Sequence, residues 1–170
     1  MFHHRRARFC PHCGTRLVLR DEHGVRRPTC PACGFIHYRN PVPAAGVILH
    51  RRGEVLLVKR RYDPRAGAWS LPAGFMEYGE TPRHCARREL REETGLTARL
   101  GPLFGVYAGF DDPRVRAVLV LYLVERATGR IVPGDDAIEA RYFPLDRLPR
   151  DIAFQAHREA LEELAAHLAR

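Results

Sequence analysis

Lysine is nearly absent from this 170-residue chain: Lys59 is the one lysine among 28 basic residues, so the formal net charge of +8 is carried by arginine. No apolar run approaches the ~20 residues of a membrane span, so no transmembrane helix is expected. No apolar segment follows the basic start MFHHRRARFC, so the expectation is no secretory leader and a cytoplasmic location. Internal repeats and low-complexity tracts are lacking too. At 45% hydrophobic and 28% charged residues, the composition excludes a disordered chain. This length buries roughly 70% of the unfolded surface, enough for one medium domain with a small appendage. The positive charge invites a nucleic-acid reading, but it is uneven. Residues 1–40 hold eight arginines against Asp21 and Glu22, a net of +6, whereas the rest carries 20 basic and 18 acidic groups, a net of +2.

What is present begins with cysteine. Four of the five cysteines form two C-x2-C knuckles, Cys10–Cys13 and Cys30–Cys33, separated by 16 residues. Two thiolates at that spacing both reach one tetrahedral Zn²⁺, and two such turns close a four-sulfur site. Gly14 and Gly34 follow the second cysteine of each knuckle and ease the tight turn. Between the knuckles, Arg16–Arg20 reads as a strand and Asp21–Gly24 as a hairpin turn, the layout of a zinc ribbon. The competing readings are a disulfide pair, which needs an oxidising compartment, and a redox motif, which belongs once beside a βαβ unit. The fifth thiol, Cys85, falls on a later helix and is expected to be buried and inert.

The proline-punctuated stretch 38–43 divides the chain into a ribbon (1–40) and a body (41–170). In the body, Ala45–Leu49 and Val55–Val58 read as a hairpin of buried strands around His50–Gly53. Residues 97–107 read as extended but broken at Gly101–Pro102, and 116–124 and 140–143 as further strands. Apolar residues at Phe154, Leu161, Leu164, Ala165 and Leu168 mark an amphipathic helix. A second helix is predicted over Pro82–Glu93, with Thr81 as N-cap, Pro82 at the first helical position and Gly95 as stop. Glu89, Glu92 and Glu93 share one broad face of that helix. Carboxylates gathered on a rigid element suit Mg²⁺ or Mn²⁺ with waters and phosphates completing the shell. A solvated acidic face paired with Arg87, Arg88 and Arg91 is the alternative reading.

Spacing across the whole segment favours the metal. Gly74-x5-Glu80-x7-Arg88-Glu89-Leu90-x-Glu92-Glu93-x-Gly95-Leu96 matches the Nudix box at every defined position, and the likeness extends through 69–74 and 139–149. The chain resembles the Nudix hydrolases that carry an N-terminal four-cysteine ribbon. That resemblance implies an α/β fold, a Nudix α/β/α sandwich with a mixed β-sheet behind a small zinc ribbon. It implies a pyrophosphohydrolase of nucleoside diphosphates linked to another moiety. Glu89 and Glu93 would be the principal ligands of Mg²⁺ or Mn²⁺, Glu92 a further ligand or the base, and Arg88 their orienter. Gly74 would offer its carbonyl, Glu80 would steady the loop, and Asp136 or Glu139, with Asp135 behind them, would add an acidic group. The resemblance is to ADP-ribose and FAD pyrophosphatases, more distantly to NADH pyrophosphatases, whose S-Q-P-W-P-F-P-x-S element has no counterpart here. Hydrolysis of an NAD cap on RNA, and a nucleic-acid-binding ribbon on an inactive scaffold, remain the alternatives, and a homodimer is open. Arg60, Arg61 and Arg65 are candidates to meet phosphate. Phe75, Phe104, Tyr107, Phe110 and Tyr122 are candidates to stack a base.

Overall fold

The computed structural model describes residues 7–169, and the chain divides into two compact units between Asn40 and Pro41. In the first unit, β1 (Val18–Glu22) pairs antiparallel with β2 (Val25–Thr29). The turn between them places His23 and Gly24 at φ 56° and 81°, the paired left-handed residues of a two-residue hairpin loop. The knuckles repeat one geometry: Gly14 N–H donates to Cys10 O, and Gly34 N–H donates to Cys30 O. Both glycines sit at positive φ, 72° and 77°, where a side chain would be strained. Sγ–Sγ distances of 3.5, 3.5 and 3.7 Å separate Cys10–Cys33, Cys13–Cys30 and Cys13–Cys33. Four sulfurs at ~2.3 Å from one ion stand ~3.8 Å apart, so the cluster fits a tetrahedral thiolate site.

The second unit contains two sheets. One has the order β7-β3-β9-β8, built from β3 (Val42–Ile48), β7 (Ala73–Phe75), β8 (Thr97–Gly109) and β9 (Ala117–Thr128). It is mixed: β3 runs parallel to β9, while β7 and β8 are antiparallel to their neighbours. The other has the order β10-β5-β4, with β6 also on β5. Its strands are β4 (His50–Arg51), β5 (Glu54–Arg60), β6 (Trp69–Ser70) and β10 (Ala137–Pro144).

Helix α1 (Pro82–Thr94) buries Cys85, Ala86 and Leu90 against Ala45, Val47, Leu49 and Leu56. Each fully buried leucine there contributes about 1.5–3 kcal/mol over an exposed one. Helix α2 (Gln155–Leu168) packs Ala156, Ala160, Leu161 and Leu164 into a separate cluster with Ile48, Leu57, Trp69, Leu71 and Leu121. Leu168 of the expected apolar stripe is exposed. No helix among the described residues is long and apolar enough to cross a membrane.

In the ribbon the strand runs two residues later than expected, so Asp21 and Glu22 belong to β1 and the turn shrinks to His23–Gly24; in the second unit two strand expectations change. The turn at Arg52–Gly53 is a hairpin, but it joins β4 to β5 rather than the 45–49 run to β5. After Ile48 the chain leaves one sheet for the other, because β3 already has β7 and β9 as partners. Gly101–Pro102 does not break β8. The strand continues through a register shift, and Arg83 of α1 donates to the carbonyls of Leu100 and Gly101 at 2.8 and 3.0 Å. Proline has no N–H to offer a ladder, so a bulge is where it is tolerated.

Candidate active site

Helix α1 is positioned by its ends. Thr81 Oγ1 accepts from His84 N–H at 3.2 Å, Pro82 opens the helix, and Gly95 closes it at φ 73°. The preceding loop is tied by Glu77 N–H donating to Glu80 Oε2 at 3.0 Å. Arg88 then gathers the segment. Its Nε and Nη2 donate to the two Glu80 oxygens at 3.0 and 2.9 Å, and its Nη1 to Glu89 at 2.6 Å and Glu92 at 2.9 Å. Its Nη2 also reaches the Phe75 carbonyl at 3.0 Å. One guanidinium thus holds three carboxylates and the end of β7 in a fork that lysine lacks the geometry to copy. These Arg88 bonds pull Glu80 down to about 2.

Glu89 and Glu93 are driven the other way. Glu89 is 8% exposed and Glu93 3%. Burial raises Glu89 against the pull of Arg88, with Glu92 and Asp136 adding repulsion. Glu93 is raised well above the usual carboxylate range, first by burial and then by Asp136 and Glu89. Its Oε2 accepts from Ala73 N–H at 3.0 Å. Buried carboxylates that repel one another favour either a proton or a cation between them. Gly74 presses on the group from the other side: a Cβ there would overlap the Glu89 carboxylate. Oxygen donors in this number suit a hard divalent ion. Among the described residues only the four thiols bring three or more ligating atoms within 4.8 Å of one another. Arg88 draws Glu89 and Glu92 toward itself, while Glu93 is held toward β7.

A cleft of about 320 Å³ opens beside this cluster, lined by Gly74, Phe75, Glu89, Asp135 and Asp136. Arg60, Tyr62, Asp111, Asp112, Arg114, Phe154 and His157 complete its walls. Of the charged site candidates singled out in the sequence, Arg61, Arg65, Glu80, Arg88, Glu92, Glu93 and Glu139 do not line the cleft. Glu139 pairs with Arg141 at 3.2 Å and Lys59 at 4.0 Å. A register shift between Ala137 and Glu139 sets it opposite Lys59 on β5. Arg61 donates to the carbonyls of Asp135 and Ala137 at 3.2 and 3.4 Å, so it fastens the loop that carries Asp136. Arg60 does line the cleft, its guanidinium 5.2 Å from the centroid of the Phe154 ring.

The aromatic expectations divide similarly. Phe104 and Tyr107 pack on the α2 cluster and Tyr122 on the α1 cluster, Phe110 is 62% exposed, and Phe75 alone of the five lines the cleft. Tyr62 and Phe154 line it without having been anticipated. So does His157, whose place in the apolar stripe of α2 was the sequence signal. Cys85 is buried, and burial raises its thiol to about 12, which removes it from nucleophilic chemistry.

Comparison with known proteins agrees with this geometry. The NUDIX domain family model matches residues 40–165, and the Nudix N-terminal model, a zinc ribbon, matches residues 8–39. An ADP-ribose pyrophosphatase of Methanocaldococcus jannaschii is 39% identical over 114 residues, covering 66% of this chain and 68% of that protein. The NAD-capped RNA hydrolase NudC of Pseudomonas aeruginosa is 39% identical over 149 residues, and the match covers 85% of this chain but only 50% of the relative. A crystal structure of a NUDIX hydrolase from Nitrosomonas europaea superposes with a TM-score of 0.80 at 34% identity, covering 94% of this chain and 93% of that one. With its box glutamates gathered by Arg88 beside a cleft, and with both family models matched in tandem, the chain belongs to the Nudix hydrolase family, in the branch that carries an N-terminal zinc ribbon.

Proposed function

We propose that the protein is a metal-dependent pyrophosphohydrolase that cleaves the diphosphate of a nucleoside diphosphate linked to another moiety, with ADP-ribose or FAD as leading substrates. The observation that carries this reading is the burial of Glu89 and Glu93 on one helix, with Glu89 set against Gly74 in a cleft that Asp136 also lines. Glu89 and Glu93 would hold Mg²⁺ or Mn²⁺ with Asp136 and the Gly74 carbonyl, and Glu92 would serve as a further ligand or take the proton from the attacking water. When bound, such ions neutralise the diphosphate and lower the pKa of that water. Arg88 keeps the glutamates oriented. The ribbon cysteines Cys10, Cys13, Cys30 and Cys33 would hold a structural Zn²⁺, and four thiolates would leave it no open position for chemistry.

A second reading, hydrolysis of an NAD cap on RNA or of NADH, is favoured by the NudC relatives. One panel separates the two. It measures kcat/KM for ADP-ribose, FAD, NADH and NAD-capped RNA with Mg²⁺ and with Mn²⁺. ADP-ribose or FAD leading by tenfold supports the first reading, and NADH or capped RNA leading replaces it with the second. Glu93→Gln is expected to remove turnover at least ~10³-fold while holding or raising thermal stability at neutral pH, because it removes a buried charge repelled by two others. Undiminished turnover in that variant would remove Glu93 from the site.

A further inference from the structure

The wall of the cleft formed by the β8–β9 loop and the start of α2 contains polar groups that the hydrolytic cluster does not use. Asp111 divides its carboxylate between two tasks. Its Oδ2 accepts from Gln155 N–H at 2.8 Å and so caps α2, whose own N-cap, Phe154, has no side chain able to do so. Its Oδ1 is buried and has no hydrogen-bond partner among the described residues. A buried carboxylate oxygen without a donor is unfavourable and rare enough to need a reason. Neighbouring Asp112 shows the contrast: it is fully engaged by Arg114, through Nε at 3.1 Å, Nη2 at 2.8 Å and the backbone N–H at 2.8 Å.

His157 lies on the same wall. Leu71 N–H donates to its Nδ1 at 3.1 Å, so Nδ1 carries no proton and the neutral ring must carry its proton on Nε2. Burial keeps that ring neutral, holding it at about 4. The wall therefore offers an acceptor without a donor and, from an uncharged imidazole, a donor of fixed tautomer. Oδ2 is already taken by Gln155, and Asp111 lines the cleft, so a substrate donor that reaches Oδ1 from the cleft would complete the carboxylate.

We propose that Asp111 and His157 are specificity-determining residues: Asp111 Oδ1 accepts from, and His157 Nε2 donates to, an uncharged edge of the substrate that presents a hydrogen-bond donor beside an acceptor. A ribose vicinal diol has that chemistry, and so does an amino-bearing edge of a purine. The ligand class rests on the pyrophosphohydrolase reading above. At Asp111 itself phosphate does not fit, since it would face an anionic oxygen, whereas Arg60 and Arg114 elsewhere on the cleft are the groups suited to phosphate charge. The pair thus reads the neutral part of the molecule, while the diphosphate belongs beside Glu89 and Asp136.

The test uses the full chain, wild type and Asp111→Asn. Asparagine keeps an oxygen for Gln155 N–H and turns an N–H donor toward the cleft, so it preserves the cap and reverses the polarity of the reader. Thermal unfolding checks that the cap survives. Hydrolysis is measured with Mg²⁺ for ADP-ribose, for its 2′,3′-dideoxyadenosine counterpart and for its hypoxanthine counterpart. For ADP-ribose the variant is expected to raise KM at least tenfold with kcat within threefold. One analogue should already be a poor substrate of the wild type and lose nothing further in the variant: the dideoxy compound if the ribose is read, the hypoxanthine compound if the base is. A KM within twofold of wild type, or an equal rise for all three substrates, overturns the proposal, because loosening of α2 alone acts on every substrate alike. Calorimetric titration of ADP-ribose without divalent ion reads binding apart from turnover. Wild-type binding at least tenfold tighter than the variant supports the reader even if no hydrolysis occurs, in which case it is the pyrophosphohydrolase reading that fails. Equal affinities, or no binding by the wild type, overturn the reader.

Discussion

Replacing Gly74 with alanine would place a methyl group where the Glu89 carboxylate now lies. The added Cβ falls well inside van der Waals contact of Cδ, Oε1 and Oε2 of Glu89. Gly74 is not among the positive-φ residues, so the cost is steric rather than conformational. Overpacking costs about 1–3 kcal/mol, and here the obstacle is the end of a flexible side chain, so the low end applies. About 1 kcal/mol lowers Tm by roughly 2–4 °C in a chain of this size. The functional cost is larger. Glu89 must swing away from β7 and give up its 2.6 Å bond to Arg88, and misplacement of a catalytic group by ~1 Å costs on the order of 10²-fold in rate. Gly46→Ala is the comparison, because its Cβ would meet the Pro72 carbonyl and Ala73. Backbone cannot rotate aside, so about 3 kcal/mol is expected there. Calorimetric Tm and kcat with ADP-ribose are measured for both. Activity within threefold of wild type in Gly74→Ala, or a Tm loss exceeding that of Gly46→Ala, would refute the reasoning.

His157 makes stability depend on pH. Its folded-state value of about 4 lies below the ordinary 6.5, so the unfolded chain takes up a proton that the folded one refuses. The associated stability, about 3 kcal/mol in full, is present above pH ~6.5 and is lost as pH falls toward 4. Urea midpoints between pH 7 and 4.5 should fall more steeply in wild type than in His157→Asn, and parallel curves would count against the buried neutral ring. For the ribbon, metal analysis should find about one zinc per chain. Prolonged chelation should raise amide exchange across residues 8–39 while β3 and α1 stay protected; exchange unchanged by chelation would exclude a structural metal.

The features legible in the sequence were those fixed by local chemistry. Thr81, Pro82 and Gly95 bounded α1 to within a residue of its observed end, because caps act through the backbone groups beside them. For the same reason the spacing of the knuckles brought four sulfurs together and that of the box glutamates placed all three on α1. Register was not legible. Glu139 looked equivalent to Asp136 until a one-residue shift in β10 set it opposite Lys59, and such a shift changes a side chain's face. Arg61 read as a phosphate contact, whereas its bonds to Asp135 and Ala137 depend on β5 and β10 lying side by side.

By itself, then, the sequence determined the family, the helix that bears the glutamates and the four-sulfur cluster, all of which rest on residues near one another in the chain. Tertiary structure decided which groups share the cleft. Asp111, His157, Gly74 and Asp136 come from a loop, a terminal helix, a short strand and a second loop. Only the packing of α1 and α2 with the two sheets brings them to one cleft. That packing desolvates Glu93 and His157 and leaves Asp111 Oδ1 without a partner among the described residues. Burial is a property of the assembled fold, so these perturbed groups could not be read from their neighbours in sequence.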